Sequence, residues 1–291
     1  MTPWLPTSRK NDTLVVMTVD TASLPVRHLT TSDGRLAYRE TGSGTPLVLL
    51  HGGFTDHRMW EAQLRAFAPT HRVIAWDARG HGASDNATRP FRQADDLAAL
   101  LRGLDAAPAV LVGLSMGGGI ATDCALEHPE LVRALVVSGA GTSEPVFEHP
   151  WVLEVIADQQ ASLAAGDLEG WADAFALWAA GPDRDLSEVD PEVVRLIREM
   201  GLATLRKHTP GEPDHRVPVT RTWERVPDIR VPLITINGAL ESPDHLAMAA
   251  RLAHLVPDGR GVTVPGAAHY PNMENPDAYN AELSAFLERL P

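Results

Sequence analysis

Apolar positions along the chain fall into two alternating patterns, short solid runs and longer stretches in which they recur every three or four residues. The solid runs are Pro46-Leu-Val-Leu-Leu, Val73-Ile-Ala-Trp, Val110-Leu-Val, Leu135-Val-Val, Leu233-Ile-Thr-Ile and Gly261-Val-Thr-Val. Their length and β-branched content predict strands buried on both faces. Between them lie helical stripes, at Met59, Trp60, Leu64 and Phe67, then at Leu97, Leu100, Leu101 and Leu104, with a last helix from about Pro276 to Leu290. Strand and helix in alternation require right-handed crossovers and a doubly wound, mostly parallel α/β sheet, whose ligand site lies at the carboxyl ends of the strands. A hairpin around Ser32-Asp33-Gly34 should edge that sheet.

The alternation breaks between about residues 143 and 226. Helical stripes there follow one another without strands: Val152, Val155 and Ile156, then Leu168, Trp171, Phe175 and Trp178, then Val193, Leu196, Ile197 and Met200. Pro145, Pro150, Gly181-Pro182 and the segment from Pro210 to Pro213 punctuate this stretch, which predicts about four helices and a long exit loop. The organisation expected is a loosely attached extension at 1–24, a core at 25–142 and 227–291, and an all-helical cap at 143–226. Phe147, Trp151, Trp171, Phe175 and Trp178 can line an apolar roof over a site, and they can equally be what such a small lobe needs in order to pack.

Charge and cysteine usage narrow the classes. With 25 basic and 38 acidic residues, the net charge of −13 argues against sequence-independent binding to nucleic acid and against anionic membrane surfaces. No apolar run approaches the roughly 18 residues of a spanning helix, and the N-terminus lacks a basic segment leading into an apolar one. The expectation is a cytoplasmic protein with a small-molecule substrate and neither nucleic-acid nor membrane partner; the oligomeric state is open. The single cysteine, Cys124, excludes an internal disulfide and any multi-cysteine metal site, and it reads as a small buried hydrophobe. The histidines lack metal-ligand spacing, so neither metal nor cofactor is expected.

Candidate chemistry begins at Ser115. An apolar strand runs through Gly113-Leu114-Ser115-Met116-Gly117 into a helical pattern. So tight a strand-to-helix turn holds its serine in a sparsely allowed conformation, and the residues two positions either side must be nearly free of side chain, as Gly113 and Gly117 are. The helix start leaves the Met116 N–H without an intrahelical partner, free to point at an oxygen that turns negative when Ser115 attacks a carbonyl. The run ending at Leu50 leads into His51-Gly52-Gly53-Phe54, and such a loop can supply a second backbone N–H.

A serine hydroxyl needs a neighbouring base, and histidine suits best. Of twelve histidines, His269 follows the last strand, at the same sheet edge as Ser115. His51 and His81 sit in glycine-rich turns where a structural hydrogen bond is expected. His57, His71, His128, His208, His245 and His254 read as ordinary surface or helix-end residues. A third group must hold the imidazole tautomer. Glu241 immediately follows a core strand, with Asp244 as its rival. Ser242-Pro243 reads as an N-cap and first helical residue, which places Asp244 in a first turn where the helix dipole already accounts for a carboxylate, and leaves Glu241 as the choice.

The series His51-Gly52-Gly53, Asp77-x-Arg79-Gly80-His81-Gly82-x-Ser84, Gly113-x-Ser115-x-Gly117, Gly238-x-x-Glu241 and Gly266-x-x-His269 resembles the α/β-hydrolase superfamily in the order nucleophile, acid, histidine. The match covers about residues 25–291 without the interior of the helical lobe. It resembles in particular the bacterial esterases, enol-lactonases and cofactor-free haloperoxidase-like hydrolases, which carry a helical cap after the sixth strand. The resemblance implies Ser115 as nucleophile, His269 as base and Glu241 as acid. It also implies an oxyanion hole from Met116 N–H and the Gly53-Phe54 loop, Gly53 being favoured. Ser115 sets the chain apart from the epoxide hydrolases and haloalkane dehalogenases of this fold, which use aspartate there, and Glu241 departs from the aspartate more usual in the group. The activity expected is hydrolysis of a carboxylic ester or lactone of a mostly apolar small molecule through an acyl-enzyme. The alternatives are a carbon–carbon bond hydrolase or secondary-metabolite tailoring enzyme with the same triad, and a small-molecule receptor on a hydrolase fold.

Overall fold

The computed structural model describes residues 23–291, so nearly all of the expected extension, with its Leu14–Val19 run, lies outside the described residues. The hairpin forms from β1 (Arg27–Thr31) and β2 (Gly34–Thr41), and the solid apolar runs become β3 (Pro46–Leu50), β4 (Arg72–Trp76), β5 (Ala109–Leu114) and β6 (Val132–Ser138), with β7 (Leu233–Gly238) and β8 (Gly259–Val264) closing the chain. One sheet results, in the order β1-β2-β4-β3-β5-β6-β7-β8. The β1–β2 and β2–β4 pairings are antiparallel, and every pairing from β4 onward across the sheet is parallel.

Every residue of β5 is buried, because helices cover both faces. Alternate positions feed two cores. Leu47, Leu49, Val110 and Val112 meet α1 (Glu61–Phe67) and the C-terminal α10 (Pro276–Leu287) on one face, through Leu64, Phe67, Leu283 and Phe286. Val48, Leu50 and Leu111 face α2 (Gln93–Gly103), α3 (Met116–Glu127) and α8 (Pro243–Leu255), through Leu97, Leu101, Ala121 and Leu252. Cys124 on α3 is fully buried as expected, and burial pushes its thiol up to about 12.

Between β6 and β7 the chain builds three long helices, α4 (Pro150–Ala165), α5 (Leu168–Ala180) and α6 (Pro191–Leu205), followed by an extended return and the single turn α7 (Thr222–Arg225). Their local sequences explain their limits. Pro150 and Pro191 begin two of them, the Asp167 and Asp190 side chains cap two, and Gly166 ends α4 in the left-handed region at φ 70°. A further turn, α9 (Pro271–Glu274), precedes α10.

The loop after β4 is fixed by one buried carboxylate. Asp77 accepts hydrogen bonds from the His57 backbone N–H (2.7 Å), from His57 Nδ1 (2.8 and 2.9 Å) and from the Ala83 N–H (2.9 Å). Gly82, at φ 47°, is required beneath it: a Cβ there would lie 2.2 Å from Asp77 Oδ2. Arg79 grips Asp96 with two bonds of 2.7 and 2.8 Å, and Ser84 Oγ donates to Asp77 O while accepting from Ala37 N. The motif around Asp77 is therefore a structural knot. His57, expected at the surface, is instead buried in it, because Asp77 supplies a charged acceptor that the sequence around His57 does not reveal. Removing that acceptor strands several buried donors, so Asp77→Ala should lower stability by about 3–5 kcal/mol, read as a shift of the urea midpoint.

Candidate active site

Ser115 stands between β5 and α3 at φ 52°, ψ −116°, a region non-glycine residues rarely occupy. The surrounding backbone approaches closely enough to hold it there. A Cβ on Gly113 would lie 2.3 Å from Gly117 O, and one on Gly117 would lie 2.2 Å from Leu50 O. Ser115 N–H donates to Ser138 O at the end of β6 (2.8 Å), which ties the turn to the neighbouring strand. The Gly53–Phe54 loop lies alongside: a Cβ on Gly53 would contact the Met116 Cβ at 3.9 Å, and Phe54 turns at φ 58°.

Glu241 and His269 meet because two loops are zipped together. The turn after β7 bonds to the loop after β8 through Ala239 N–H to Val264 O (2.8 Å) and Leu240 N–H to Ala267 O (2.9 Å). Gly238 permits this, since any Cβ there would strike Ala268 O at 2.1 Å. His269 Nδ1 donates to Glu241 Oε2 at 2.5 Å, and both residues are 5 % exposed or less. Burial alone would raise the Glu241 carboxyl, but the His269 and His245 imidazoles outweigh it and hold the group well below its ordinary value. The pair is joined to Ser115 through the end of β6. Gly139 follows Ser138 in sequence, and a Cβ on it would lie 2.7 Å from His269 Cε1 and 3.1 Å from Glu241 Oε2.

A model of the alpha/beta hydrolase family matches residues 47–282. The chain belongs to that family. It is 30% identical to a putative non-heme bromoperoxidase, BpoC, of Mycobacterium tuberculosis, over 86% of this hydrolase and 97% of that protein. It is 28% identical to a pimeloyl-[acyl-carrier protein] methyl ester esterase of Vibrio atlanticus, over 87% and 98%. Among solved structures, a hydrolase from Pseudomonas aeruginosa superposes with a TM-score of 0.72 at 29% identity, covering 90% of this hydrolase and 98% of that one. The enol-lactonase of Burkholderia xenovorans shares the fold, with a TM-score of 0.70 at 24% identity, over 90% and 100%.

Two cavities open beside the hydrolase's serine. One of about 280 Å³ is lined by Ser115, Met116, Gly139, Phe147, His245 and Met248. The other, of about 480 Å³, is lined by Gly53, Phe54, His81, His208, Asp214 and Arg216 among others, and Met116 and Arg216 border both. Of the expected roof residues, Phe147 lines the first cavity. Trp171, Phe175 and Trp178 are buried, Trp171 stacked on Phe175 at 4.8 Å, and Trp151 meets Trp178 edge-on. They join the insertion to the site: Trp171 and Phe175 close on Phe54, with ring centroids 4.9 and 5.9 Å apart, and Trp178 lies 5.4 Å from His245 and 5.7 Å from His269.

The remaining candidates separate cleanly. Asp244 Oδ2 accepts the backbone N–H groups of Glu148 and His149 (2.9 Å each), fastening the segment just before α4 to the start of α8. His51 donates Nδ1–H to Gly52 O and accepts at Nε2 from Ala78 N–H, and burial pushes His81 down to about 3, so both act as neutral struts. Among the described residues two groups have metal-compatible spacing, Glu241/His245/His269 and Asp56/His57/Asp77. Hydrogen bonds from protein donors already occupy the carboxylates of both, including those from Arg58 to Asp56 and from Ser242 N–H to Glu241.

Several participants carry no local signal in the sequence. His245, read as a helix-end residue, is buried against His269 with ring centroids 4.6 Å apart. Arg184 bonds Glu274 (2.6 Å), Gly266 O and Ala179 O, while Glu274 Oε1 accepts from Ala268 and Tyr270 N–H on either side of His269. This brace spans 90 residues of sequence. A methyl group at Gly139 tests the tightness of the whole arrangement. Gly139→Ala should displace the His269 ring from Glu241 in a crystal structure and cost about 1–3 kcal/mol of stability, as overpacking does.

Proposed function

We propose that the protein is a serine hydrolase of carboxylic esters or lactones. The observation that carries this reading is the buried Glu241–His269 pair at the same sheet edge as a serine held in a strained strand-to-helix turn. Ser115 Oγ attacks the carbonyl carbon while His269 Nε2 takes its proton. The oxygen that becomes negative is held by the backbone N–H of Met116 and one from the Gly53-Phe54 loop, with Gly53 preferred. Collapse expels the alcohol, which leaves with the proton from His269. Water, deprotonated by the same imidazole, then attacks the acyl-enzyme, and the acid departs. Throughout, Glu241 fixes the Nδ1–H tautomer and stabilises the imidazolium.

The two cavities offer room for the two parts of a substrate. Met116, Phe147 and Met248 give the first an apolar surface beside Ser115; Phe54, His81, His208 and Asp214 line the larger with apolar and polar groups together, and Arg216 borders both. The helical insertion contributes Phe147 and Arg216 to these walls and selects between substrates.

A fluorophosphonate probe tests the nucleophile: intact mass should show one adduct on the wild type and none on Ser115→Ala, and a label mapped to another serine would overturn the assignment. On one nitrophenyl ester, Glu241→Gln should lower kcat by up to about 10⁴-fold. Asp244→Asn should leave kcat near normal and cost roughly 1 kcal/mol through weakened hydrogen bonds to the Glu148 and His149 N–H groups. Collapse of turnover in Asp244→Asn with activity retained in Glu241→Gln would exchange the two roles.

A further inference from the structure

The Glu241 carboxylate serves a second imidazole. Its Oε2 is taken by His269, while Oε1 accepts the Ser242 N–H at 2.7 Å and lies 3.2 Å from His245 Nδ1. His245 Nδ1 is also 2.7 Å from Ser242 Oγ. A bare nitrogen lone pair facing a buried carboxylate oxygen would be repelled, so His245 carries its proton on Nδ1 and points it at Glu241 and Ser242. The opposite ring edge, with Nε2, is what His245 can present to the cavity it lines together with Ser115.

The groups packed around His245 explain why this arrangement matters. Glu241 and Ser242 face it from the turn after β7, His269 from the loop after β8, Trp178 from α5 with ring centroids 5.4 Å apart, and Phe147 from the segment after β6 at 5.4 Å. The charged groups around it include Glu241, Arg216, which lines the same cavity, and, one residue before it on α8, Asp244, whose Oδ2 accepts the N–H groups of Glu148 and His149 just before α4. A single anionic oxygen pair therefore balances two rings. Glutamate, one methylene longer than aspartate, extends from its turn to present one oxygen to each.

We propose that His245 is a positioning residue, a second imidazole that shares the Glu241 carboxylate with His269 and so sustains the reactivity of Ser115; this rests on the serine-hydrolase reading above. Its Nδ1–H steadies Glu241 against rotation, so that Oε2 stays on His269. Without that donor Oε1 keeps only the Ser242 N–H, and the carboxylate holds the His269 tautomer less firmly.

The test measures the rate constant for fluorophosphonate labelling of Ser115 as a function of pH, which requires no knowledge of the substrate, in the wild type, His245→Asn and His245→Ala. Asparagine places an amide N–H near the position of Nδ1 but does not titrate; alanine removes the donor. The plateau rate of His245→Asn should stay within about threefold of the wild type, and that of His245→Ala should fall about tenfold. A residue that served only to pack would lose as much in His245→Asn as in His245→Ala. A plateau kept in His245→Ala, or lost equally in the two variants, overturns the proposal while leaving the serine-hydrolase reading intact. Absence of any label on Ser115 removes both.

Discussion

Backbone meeting backbone at the elbow is the constraint on which the rest depends. Ser115 can keep a positive φ because Gly113, Gly117 and the end of β3 close around it at distances no side chain would allow, and because its own N–H is fastened to β6. Strain of about 1–3 kcal/mol at one residue persists only where neighbours over-determine the position. Here those neighbours are the central strands of the sheet, the most deeply buried part of the molecule. Ser115 is thus carried by the least deformable element, while Glu241 and His269 arrive from loops at the same edge.

Those loops are made rigid by electrostatics rather than by apolar packing. Asp77 gathers His57 and two backbone donors beneath the loop after β4, Glu241 gathers two histidines and Ser242, and Glu274 with Arg184 braces both flanks of His269. Each buried carboxylate is matched by several donors, which is the condition under which a charge can sit in the interior without a large net cost. The three clusters follow β4, β7 and β8, all at the carboxyl edge of the sheet.

Much of this was legible in the sequence, for reasons that can be stated residue by residue. The sheet and its order of strand and helix follow from solid apolar runs. Ser115 follows from glycines at fixed spacing around it, and His269 and Glu241 from their places just beyond strands. These signals are local or set by topology. What could not be read depends on partners far apart in the chain. His57 is buried because Asp77 lies twenty residues on, and Arg184 acquires its meaning only from Glu274. His245 sits one helical turn from Glu241, close enough to have been suspected, but an isolated histidine in a first turn looks the same whether it faces water or a carboxylate. The aromatic residues of the insertion were ambiguous for a different reason, since a stripe that packs and a stripe that lines a cleft have the same period.

The backbone N–H of His269 donates to Trp178 O near the end of α5, and Arg184, four residues beyond that helix, grips the carbonyls of Ala179 and Gly266. The insertion is therefore not an interchangeable module resting on a finished core. Exchanging α5 for another helix would disturb the contacts that seat the His269 ring. Variation should be borne more easily in α4, α6 and the extended return segment than in α5.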